Sequence, residues 1–224
     1  MMINNHPSQQ CMGLFNCGSE TEHWGWLCDD ESPWRVLSKT SERNLFDIIS
    51  ELAGNESLPS KMVEDADFEH GPIFVHKGAE IGTNVRFEGP IYVEEGAEIR
   101  HGAYLRPGTY VSRGCVVGHC TEIKNTLMLP FSKAPHFNYV GDSILGFKVN
   151  LGAGAKISNV RLDRKSIIIQ LPDRVKVDTN LRKFGALIGD ESEIGCNVVT
   201  NPGSVIPPNS AIPPNAVVTG LWIN

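Results

Sequence analysis

The 224-residue sequence lacks the paired cysteines that mark zinc knuckles and redox sites. Its six cysteines are scattered and no two form a Cys-x-x-Cys motif, so neither a structural zinc ion nor a redox dithiol is indicated. Positive charge is also scarce, since 20 Lys and Arg stand against 26 Asp and Glu and give a formal net charge of -6. Because nucleic acid binding needs a basic surface, this balance argues against a nucleic acid partner.

Long apolar runs are missing as well. The longest aliphatic run, Ile167–Ile169, is far shorter than the roughly 20 residues that a membrane-spanning helix needs. The first residues, MMINNHPSQQCMGLF, contain no basic stretch followed by an apolar one, so we expect no signal peptide. The sequence therefore predicts a protein of the reduced cytoplasm without a membrane span.

The sequence does contain a six-residue repeat. This period matches neither the 3.6 residues of a helical turn nor the two-residue period of a strand, but it fits a parallel β-helix whose triangular coils have three sides. We therefore predict an all-β fold, a parallel β-helix of hexapeptide repeats with a short, partly helical N-terminal extension. The apolar series comprises Val75, Ile81, Phe87, Val93, Ile99, Leu105, Val111, Val117, Ile123 and Leu129, then Leu145, Leu151 and Ile157, then Ile188, Ile194, Thr200, Ile206, Ile212 and Val218.

Residues 1–70 differ from the remainder because they contain Trp24, Trp26 and Trp34 and no six-residue repeat. Apolar residues at helical spacing after Ser41 predict one helix at about 41–53. The open end of a β-helix exposes backbone groups and apolar side chains. We therefore expect the tryptophans of this extension to cap that end.

The β-helix itself is expected at residues 71–224. Its ladder breaks at residues 130–135, a stretch bounded by two prolines, and is lost again after Asn159. We interpret the two breaks as loops that protrude from the coils at about 130–138 and 160–184. Loops on a rigid scaffold commonly carry binding and catalytic groups, so both are candidate parts of a functional site.

Short motifs near these breaks resemble those of hexapeptide-repeat acyltransferases. Over about residues 71–220 the sequence is similar to the acetyltransferase domain of the bifunctional enzyme that forms UDP-N-acetylglucosamine, and to the C-terminal domain of archaeal-type sugar-1-phosphate nucleotidylyltransferases. The resemblance implies a left-handed β-helix and an acetyl-CoA-dependent N-acetyltransferase acting on an amino-sugar-1-phosphate, with glucosamine-1-phosphate as the expected substrate. The matching motifs are Leu105-Arg106-Pro107-Gly108, Glu122-Ile123-Lys124, His136-x-x-Tyr139-x-Gly141-Asp142, Val149-Asn150-x-Gly152-Ala153-Gly154, Asn159 and Lys165.

The resemblance assigns a role to each matching residue. His136 is expected to accept the proton of the sugar's 2-amino group as that group attacks acetyl-CoA directly, a role that suits a side chain able to gain and lose protons near neutral pH. A backbone N–H of the Gly152–Gly154 turn is a candidate oxyanion donor. No metal is expected to be required. The expected substrate contacts are Arg106, Lys124, Tyr139, Asn150, Asn159 and Lys165, and the expected acetyl-CoA contacts are Gly154 and Lys183.

The resemblance also implies a homotrimer whose active sites lie between neighbouring subunits. The sequence departs from the family pattern at Val160, where the bifunctional bacterial enzyme has a tyrosine, and in the longer, more charged segment that follows. The 70 N-terminal residues contain no Gly-rich phosphate loop on a large α/β domain, so we expect no nucleotidylyltransferase activity from this chain.

Alternative interpretations remain open at this stage. The same coils and histidine would serve an acyltransferase acting on a nucleotide-linked sugar, or a trimeric module that binds a sugar nucleotide without catalysis. Each expected contact also has a purely structural explanation. Asn150 and Asn159 suit coil corners, Arg106 and Lys124 suit a solvated edge, and Tyr139 suits a packing position under a loop.

Overall fold

The computed structural model describes residues 13–15, 24–28, 30–55 and 63–223. Within these ranges the chain forms one α-helix, α1 (Leu45–Asn55), two short 3-10 helices (Gly25–Cys28 and Pro33–Leu37) and a long series of short strands. The strands are β1 (Asp65–Asp67), β2 (Ile73–Val75), β3 (Glu80–Ile81), β4 (Arg86–Glu88), β5 (Ile91–Val93), β6 (Glu98–Ile99), β7 (Tyr104–Leu105), β8 (Thr109–Val111), β9 (Val116–His119), β10 (Glu122–Met128), β11 (Lys133–His136), β12 (Tyr139–Leu145), β13 (Asn150–Leu151), β14 (Lys156–Ile157), β15 (Ile168–Gln170), β16 (Lys176–Asp178), β17 (Ala186–Ile188), β18 (Glu193–Ile194), β19 (Val199–Thr200), β20 (Ser204–Ile206), β21 (Ala211–Ile212) and β22 (Val217–Val218).

All of these strands except β15 and β16 stack in parallel on three faces, which confirms the predicted β-helix. The first face contains β1, β4, β7, β14, β19, β22 and the N-terminal halves of β10 and β12. The second contains β2, β5, β8, β17, β20 and the C-terminal halves of β10 and β12. The third contains β3, β6, β9, β11, β13, β18 and β21.

The predicted ladder residues fill the interior, with one correction. On the first face, Phe87, Leu105 and Ile123 are register partners and fully buried. Leu129 does not continue the series, because Met128 takes the interior place as the partner of Val111. The coil is one residue shorter at this point, since five residues separate Ile123 from Met128, and the next coil is shortened in the same way between Val140 and Leu145. Leu129 is buried in a separate cluster outside the triangular prism that the stacked coils form.

The expected loop at about 130–138 is wrong. Residues Lys133–His136 form β11, which pairs with β9 and β13 and continues the third face without interruption. The ladder breaks in the sequence because the coil has lost a residue, and no loop is needed to explain it. The β-helix also begins earlier than Gly71, since Asp65–Asp67 already pairs with β4.

The second break does contain an excursion from the coils. Ile157 pairs directly with Thr200, so the first face is continuous across the inserted residues. Within the insertion, β15 and β16 form an antiparallel hairpin. The backbone N–H of Phe184 donates to the carbonyl oxygen of Asn159 at 2.9 Å, which closes the base of the excursion.

The outer side of the second face carries an unbroken row of apolar and aromatic residues. The rings of Phe74, Tyr92 and Tyr110 stack on one another, with centroid distances of 4.7 and 5.1 Å. Strands that are buried on both sides have continuous apolar sequences, as Ile91–Val93 does. The buried row, in register order, is Phe74, Tyr92, Tyr110, Leu127, Ile144, Leu187 and Val205.

The N-terminal segment and the excursion cover this row together. The ring of Trp24 meets that of Tyr110 edge-on at 4.8 Å, and α1 lies against β5, β8 and β10. Farther along the row the cover comes from Ile167, Ile169 and Phe184 of the excursion. The tryptophans therefore do not cap the open end, as the sequence predicted. They cover a side of the prism whose outer surface is itself apolar.

The helix α1 begins four residues later than the sequence pattern indicated. Asn44 provides its N-cap, because the Asn44 side-chain oxygen accepts from the backbone N–H of Asp47 at 3.1 Å. None of the helices in the described ranges is long and apolar enough to cross a membrane.

We expect Ile144→Ala to lower the free energy of unfolding by about 2–5 kcal/mol, because it leaves a cavity in a buried layer where Ile144 has no exposed surface. Val217→Ala removes an apolar side chain that is 66% exposed and should change stability by less than about 0.5 kcal/mol. Urea denaturation followed by circular dichroism measures both variants. Equally small effects would contradict burial of the second face on its outer side.

Candidate functional site

The corner between the first and second faces carries the polar residues that the motifs singled out. Lys124 and Gly141 are register partners at the end of the first face. The residues that follow them, Asn125 and Asp142, turn the corner in the left-handed conformation with φ values of 44° and 48°. Arg106 lies one coil earlier at the same corner, next to Leu105, which pairs with Ile123. We call the corner formed by Arg106, Lys124 and Asp142 the basic corner.

Asp142 is the centre of this corner. Its carboxylate accepts from Lys124 Nζ at 3.1 and 3.2 Å, from Asn125 Nδ2 at 2.8 Å, and from Asn159 Nδ2. The Asp142 side chain is only 4% exposed, and burial of an ionised carboxylate is tolerated when its oxygens are paired in this way. The Asn125 amide also donates to the carbonyl oxygen of Leu37 at 2.9 Å, so the same network holds the N-terminal segment against the corner.

Tyr139 and Asn159 meet above Gly141. The Tyr139 hydroxyl donates to Asn159 Oδ1 at 3.4 Å. A Cβ atom on Gly141 would approach Asn159 Nδ2 to 2.6 Å and the Tyr139 oxygen to 2.7 Å, so only glycine leaves room for this contact. Burial, with the nearby charge of Asp142, raises the pKa of Tyr139, which keeps its hydroxyl a hydrogen-bond donor at neutral pH.

Arg106 is paired with a carboxylate of the neighbouring coil. Its guanidinium donates to Glu122 at 2.7 Å. Burial by itself lowers the pKa of Arg106, but the hydrogen bond and charge of Glu122 outweigh burial, so the net shift is upward. Both motif cations of the basic corner, Arg106 and Lys124, are therefore paired with acidic side chains.

A cavity of about 420 Å³ opens beside the basic corner. The N-terminal segment contributes one wall and the end of the excursion another, so the cavity exists because both segments cover the second face. Lys39 and Lys183 line it from these two walls. The other lining residues are Leu37, Ser38, Phe46, His70, Glu88, Arg106, Pro107, Lys124, Asn125, Asp142 and Leu181.

His136 lies at the opposite edge of the first face. It ends β11, its side chain is exposed, and Asn138 fixes the turn by accepting from the His136 backbone N–H at 3.0 Å. Close by, the rings of His101 and His119 stack at 5.3 Å, and His119 meets Phe137 at 5.2 Å. We call His101, His119, His136 and Phe137 the histidine edge. Among the residues that the structure describes, no group of three or more His, Cys, Asp or Glu side chains is placed to hold a metal ion.

Within one chain the structure brings together only part of the predicted site. Arg106, Lys124, Tyr139 and Asn159 gather at or beside the basic corner, whereas His136 lies across the first face from them. Asn150 lies on the third face and donates to Glu193 at 2.9 Å. This position is on a different side of the prism from Tyr139, because Asn150 starts β13 and pairs with Lys133.

Three further expectations change. The Gly154 backbone N–H donates to the carbonyl oxygen of His136 at 3.0 Å, so this N–H is not free as an oxyanion donor. Lys165 is exposed in the segment before β15 and does not line the cavity. Lys183 does line it, at a corner remote from the third face and from Gly154.

Sequence reasoning missed Asp142 as the centre, and it missed Asn125 and Lys39. The coil period contains a usable signal for the first two. Arg106, Lys124 and Gly141 recur at coil spacing, so the residues after them belong to the same corner. Lys39 has no such signal, since its position depends on how a segment outside the repeat folds back on the prism.

A second depression, of about 460 Å³, lies on the third face. Asn150, Gly152 and Cys196 contribute to it, and much of its wall is apolar, including Ile194, Ile212 and Pro213. Gly154 follows Asn150 and Gly152 on the same coil, and its backbone N–H donates to the carbonyl oxygen of His136. The coil that lines this groove is therefore hydrogen-bonded to the histidine edge.

Comparisons with known proteins agree with this architecture. The family model described as the GMPPB C-terminal domain matches residues 87–207. A bifunctional sugar-1-phosphate nucleotidylyltransferase/acetyltransferase of Sulfurisphaera tokodaii is 35% identical over 199 residues, which cover 88% of this chain and 47% of that protein. A bifunctional protein GlmU of Methanococcus maripaludis is 44% identical over 179 residues, covering 80% of this chain and 41% of the relative.

The chain thus spans somewhat less than half the length of these curated relatives. Both relatives confirm the resemblance that the motifs indicated. Among solved structures, a putative acetyltransferase of Bacillus cereus aligns with a TM-score of 0.35 and 17% identity, over 66% of this chain and 72% of that one.

We expect Asp142→Asn to lower the free energy of unfolding by about 2–3 kcal/mol, because the new amide turns an N–H group toward donors that need an acceptor. Glu193→Gln is the matched control, since Glu193 also accepts from an asparagine but is exposed. It should change stability by less than about 0.5 kcal/mol. Thermal denaturation compares the two, and an Asp142→Asn variant as stable as Glu193→Gln would show that Asp142 does not organise the corner.

Proposed function

Because the chain belongs to the GMPPB C-terminal domain family, we propose that it is an acetyl-CoA-dependent N-acetyltransferase whose acceptor is an amino-sugar-1-phosphate, with glucosamine-1-phosphate as the first candidate. The observation that carries this proposal is the network of Tyr139, Asn159, Asp142 and Lys124 beside a cavity lined by cations. Such a site offers hydrogen bonds to sugar hydroxyl groups and charge to a phosphate. The name of the Sulfurisphaera tokodaii relative contains both sugar-1-phosphate and acetyltransferase, which agrees with that chemistry.

The proposed reaction is a direct transfer. The neutral 2-amino group attacks the thioester carbonyl of acetyl-CoA, a C–N bond forms, and His136 accepts the proton that the nitrogen loses. The C–S bond then breaks, and the departing CoA thiolate takes a proton from the histidine. Tyr139 and Asn159 orient the sugar during the attack, and correct orientation alone accounts for a large part of such rate enhancements.

We assign acetyl-CoA to the groove on the third face, and Asn150 with it. The apolar walls formed by Ile194, Ile212 and Pro213 suit the extended, weakly polar pantetheine arm. Gly154 lies on the same coil as Asn150 and Gly152, which line this groove. We therefore keep Gly154 as a residue that packs against acetyl-CoA. Lys183, at the basic corner, is not a contact to acetyl-CoA in this proposal.

Because His136 lies apart from the basic corner, we propose that a second subunit completes the site. In a threefold assembly, the histidine edge of one chain faces the first face of the next, so that His136 and the acceptor site come from different subunits. The exposed ring of Phe137, which is 57% accessible in the single chain, would be buried by such a contact.

Thiol release from acetyl-CoA with glucosamine-1-phosphate as acceptor tests the activity. We expect His136→Ala to lower kcat by roughly 10²–10⁴-fold, the usual contribution of a general base. His76→Ala is the control, because His76 lies on the first coil at another corner and should leave kcat within about twofold. Absence of thiol release with every amino-sugar phosphate would refute the proposal, and a loss of less than about tenfold would remove His136 as the base.

The assembly is tested by the native mass. Sedimentation equilibrium should give three times the mass of one chain, and Phe137→Glu should shift the population toward monomers because it places a charge in the contact. Thiol release should fall in parallel with trimer content. A fully active monomer would contradict the shared site.

A further inference from the structure

The cavity at the basic corner contains two different kinds of cation. Arg106 and Lys124 are each held by a carboxylate, at 2.7 Å from Glu122 and 3.1 Å from Asp142. Lys39 and Lys183 line the same cavity, and in the described part of the chain neither forms an ion pair. Their side chains are exposed to the cavity and its mouth. Among the cations that line the cavity, these two lysines are therefore the ones that no carboxylate holds, and Glu88, which also lines it, pairs with Arg86 at 3.6 Å.

Neither lysine belongs to the β-helix. Lys39 lies between the second 3-10 helix and α1, where its Nζ stands 3.7 Å from the centre of the Phe46 ring. This contact holds the ammonium group in place while leaving N–H donors available. Lys183 ends the excursion immediately before Phe184, whose N–H closes the base of that excursion. Both ammonium groups are thus carried by segments that the apolar outer row holds against the prism.

The excursion adds a broader positive field. Residues 160–183 contain seven Lys and Arg against three Asp, in a chain whose formal net charge is -6. Two of the basic residues, Arg182 and Lys183, stand at the end of the excursion that reaches the cavity. A cluster of one sign near a cavity raises the local concentration of ligands of the opposite charge.

We propose that Lys39 and Lys183 bind the phosphate group of the acceptor, and that the two segments outside the repeat thereby make this chain selective for phosphorylated sugars. This inference rests on the proposed function and adds to it. An unpaired ammonium group can donate to phosphate without first losing a partner, whereas Arg106 and Lys124 must share theirs. Two such groups balance the charge of a phosphate monoester, which is close to two negative charges at neutral pH, and lysine binds phosphate as a point charge.

The experiment measures binding without turnover. Isothermal calorimetry with glucosamine-1-phosphate, in the absence of acetyl-CoA, should show a roughly tenfold weaker dissociation constant for Lys183→Gln and for Lys39→Gln, as expected when one charged contact is lost. Lys183→Arg keeps the charge and should restore most of the affinity. Lys176→Gln is the matched control, because Lys176 is exposed on β16 and lines no part of the cavity. It should bind as the wild type does.

Two further ligands show whether the bound phosphate belongs to a sugar monophosphate or to a nucleotide-linked sugar. UDP-glucosamine presents a diphosphate and unphosphorylated glucosamine presents none. If the lysine variants weaken only the phosphorylated ligands, the inference is supported, and the ligand that wild type binds more tightly identifies the acceptor class. The inference is overturned if Lys39→Gln and Lys183→Gln bind as wild type does, or if wild type binds neither phosphorylated ligand. Lysine-dependent binding without any thiol release would leave the inference standing and refute the proposed acetyl transfer.

Discussion

The apolar outer row of the second face is the constraint on which the other parts of this molecule depend. A β-helix usually needs only an apolar interior, but here the row that includes Tyr92, Tyr110 and Ile144 must also be removed from water. That requirement brings the N-terminal segment and the excursion onto one side of the prism. Because they meet the prism at the same corner, they enclose a cavity between them. Hydrophobic burial on one face thus produces a charged site at its edge.

Asp142 joins this packing to the polar network. Its carboxylate is shared by Lys124, Asn125 and Asn159, and the amide of Asn125 reaches the Leu37 carbonyl in the N-terminal segment. The backbone carbonyl of Asp142 also accepts from Gly185, just past the excursion. Asp142 is therefore hydrogen-bonded to the neighbouring coil. It is also linked to the N-terminal segment through Asn125 and to the end of the excursion through Gly185. Loss of its charge would weaken the hydrogen bonds from Lys124, Asn125 and Asn159.

The sequence predicted the coil architecture because the six-residue period records an interior whose geometry repeats. The same period misled where the geometry changed, since the loss of one residue before Met128 shifts the ladder and resembles a loop in the sequence. Coil spacing places Arg106 and Lys124 at one corner, whereas His136, Asn150 and Lys165 lie elsewhere on the chain. The position of the tryptophans and of Lys39 was not predictable in this way, because it depends on contacts made across the chain. The apolar triplet Ile91–Val93 did contain a signal for the covered face.

A hydrogen bond from the backbone N–H of Phe184 to the carbonyl oxygen of Asn159 joins the two ends of the excursion. Ile157 and Thr200 pair beside it as though nothing had been inserted between them. Its two ends are thus pinned together, and the free energy of closing such a loop grows only slowly with its length. Exposed residues 172–175 at the tip, between β15 and β16, are consequently free to lengthen, shorten or change in related chains at little cost to the prism. Residues at the roots have less freedom, since Leu181 and Lys183 form a wall of the cavity and Asn159 and Phe184 close the base of the excursion. Variation between relatives in this insert should therefore be found at the tip and be rare at the roots.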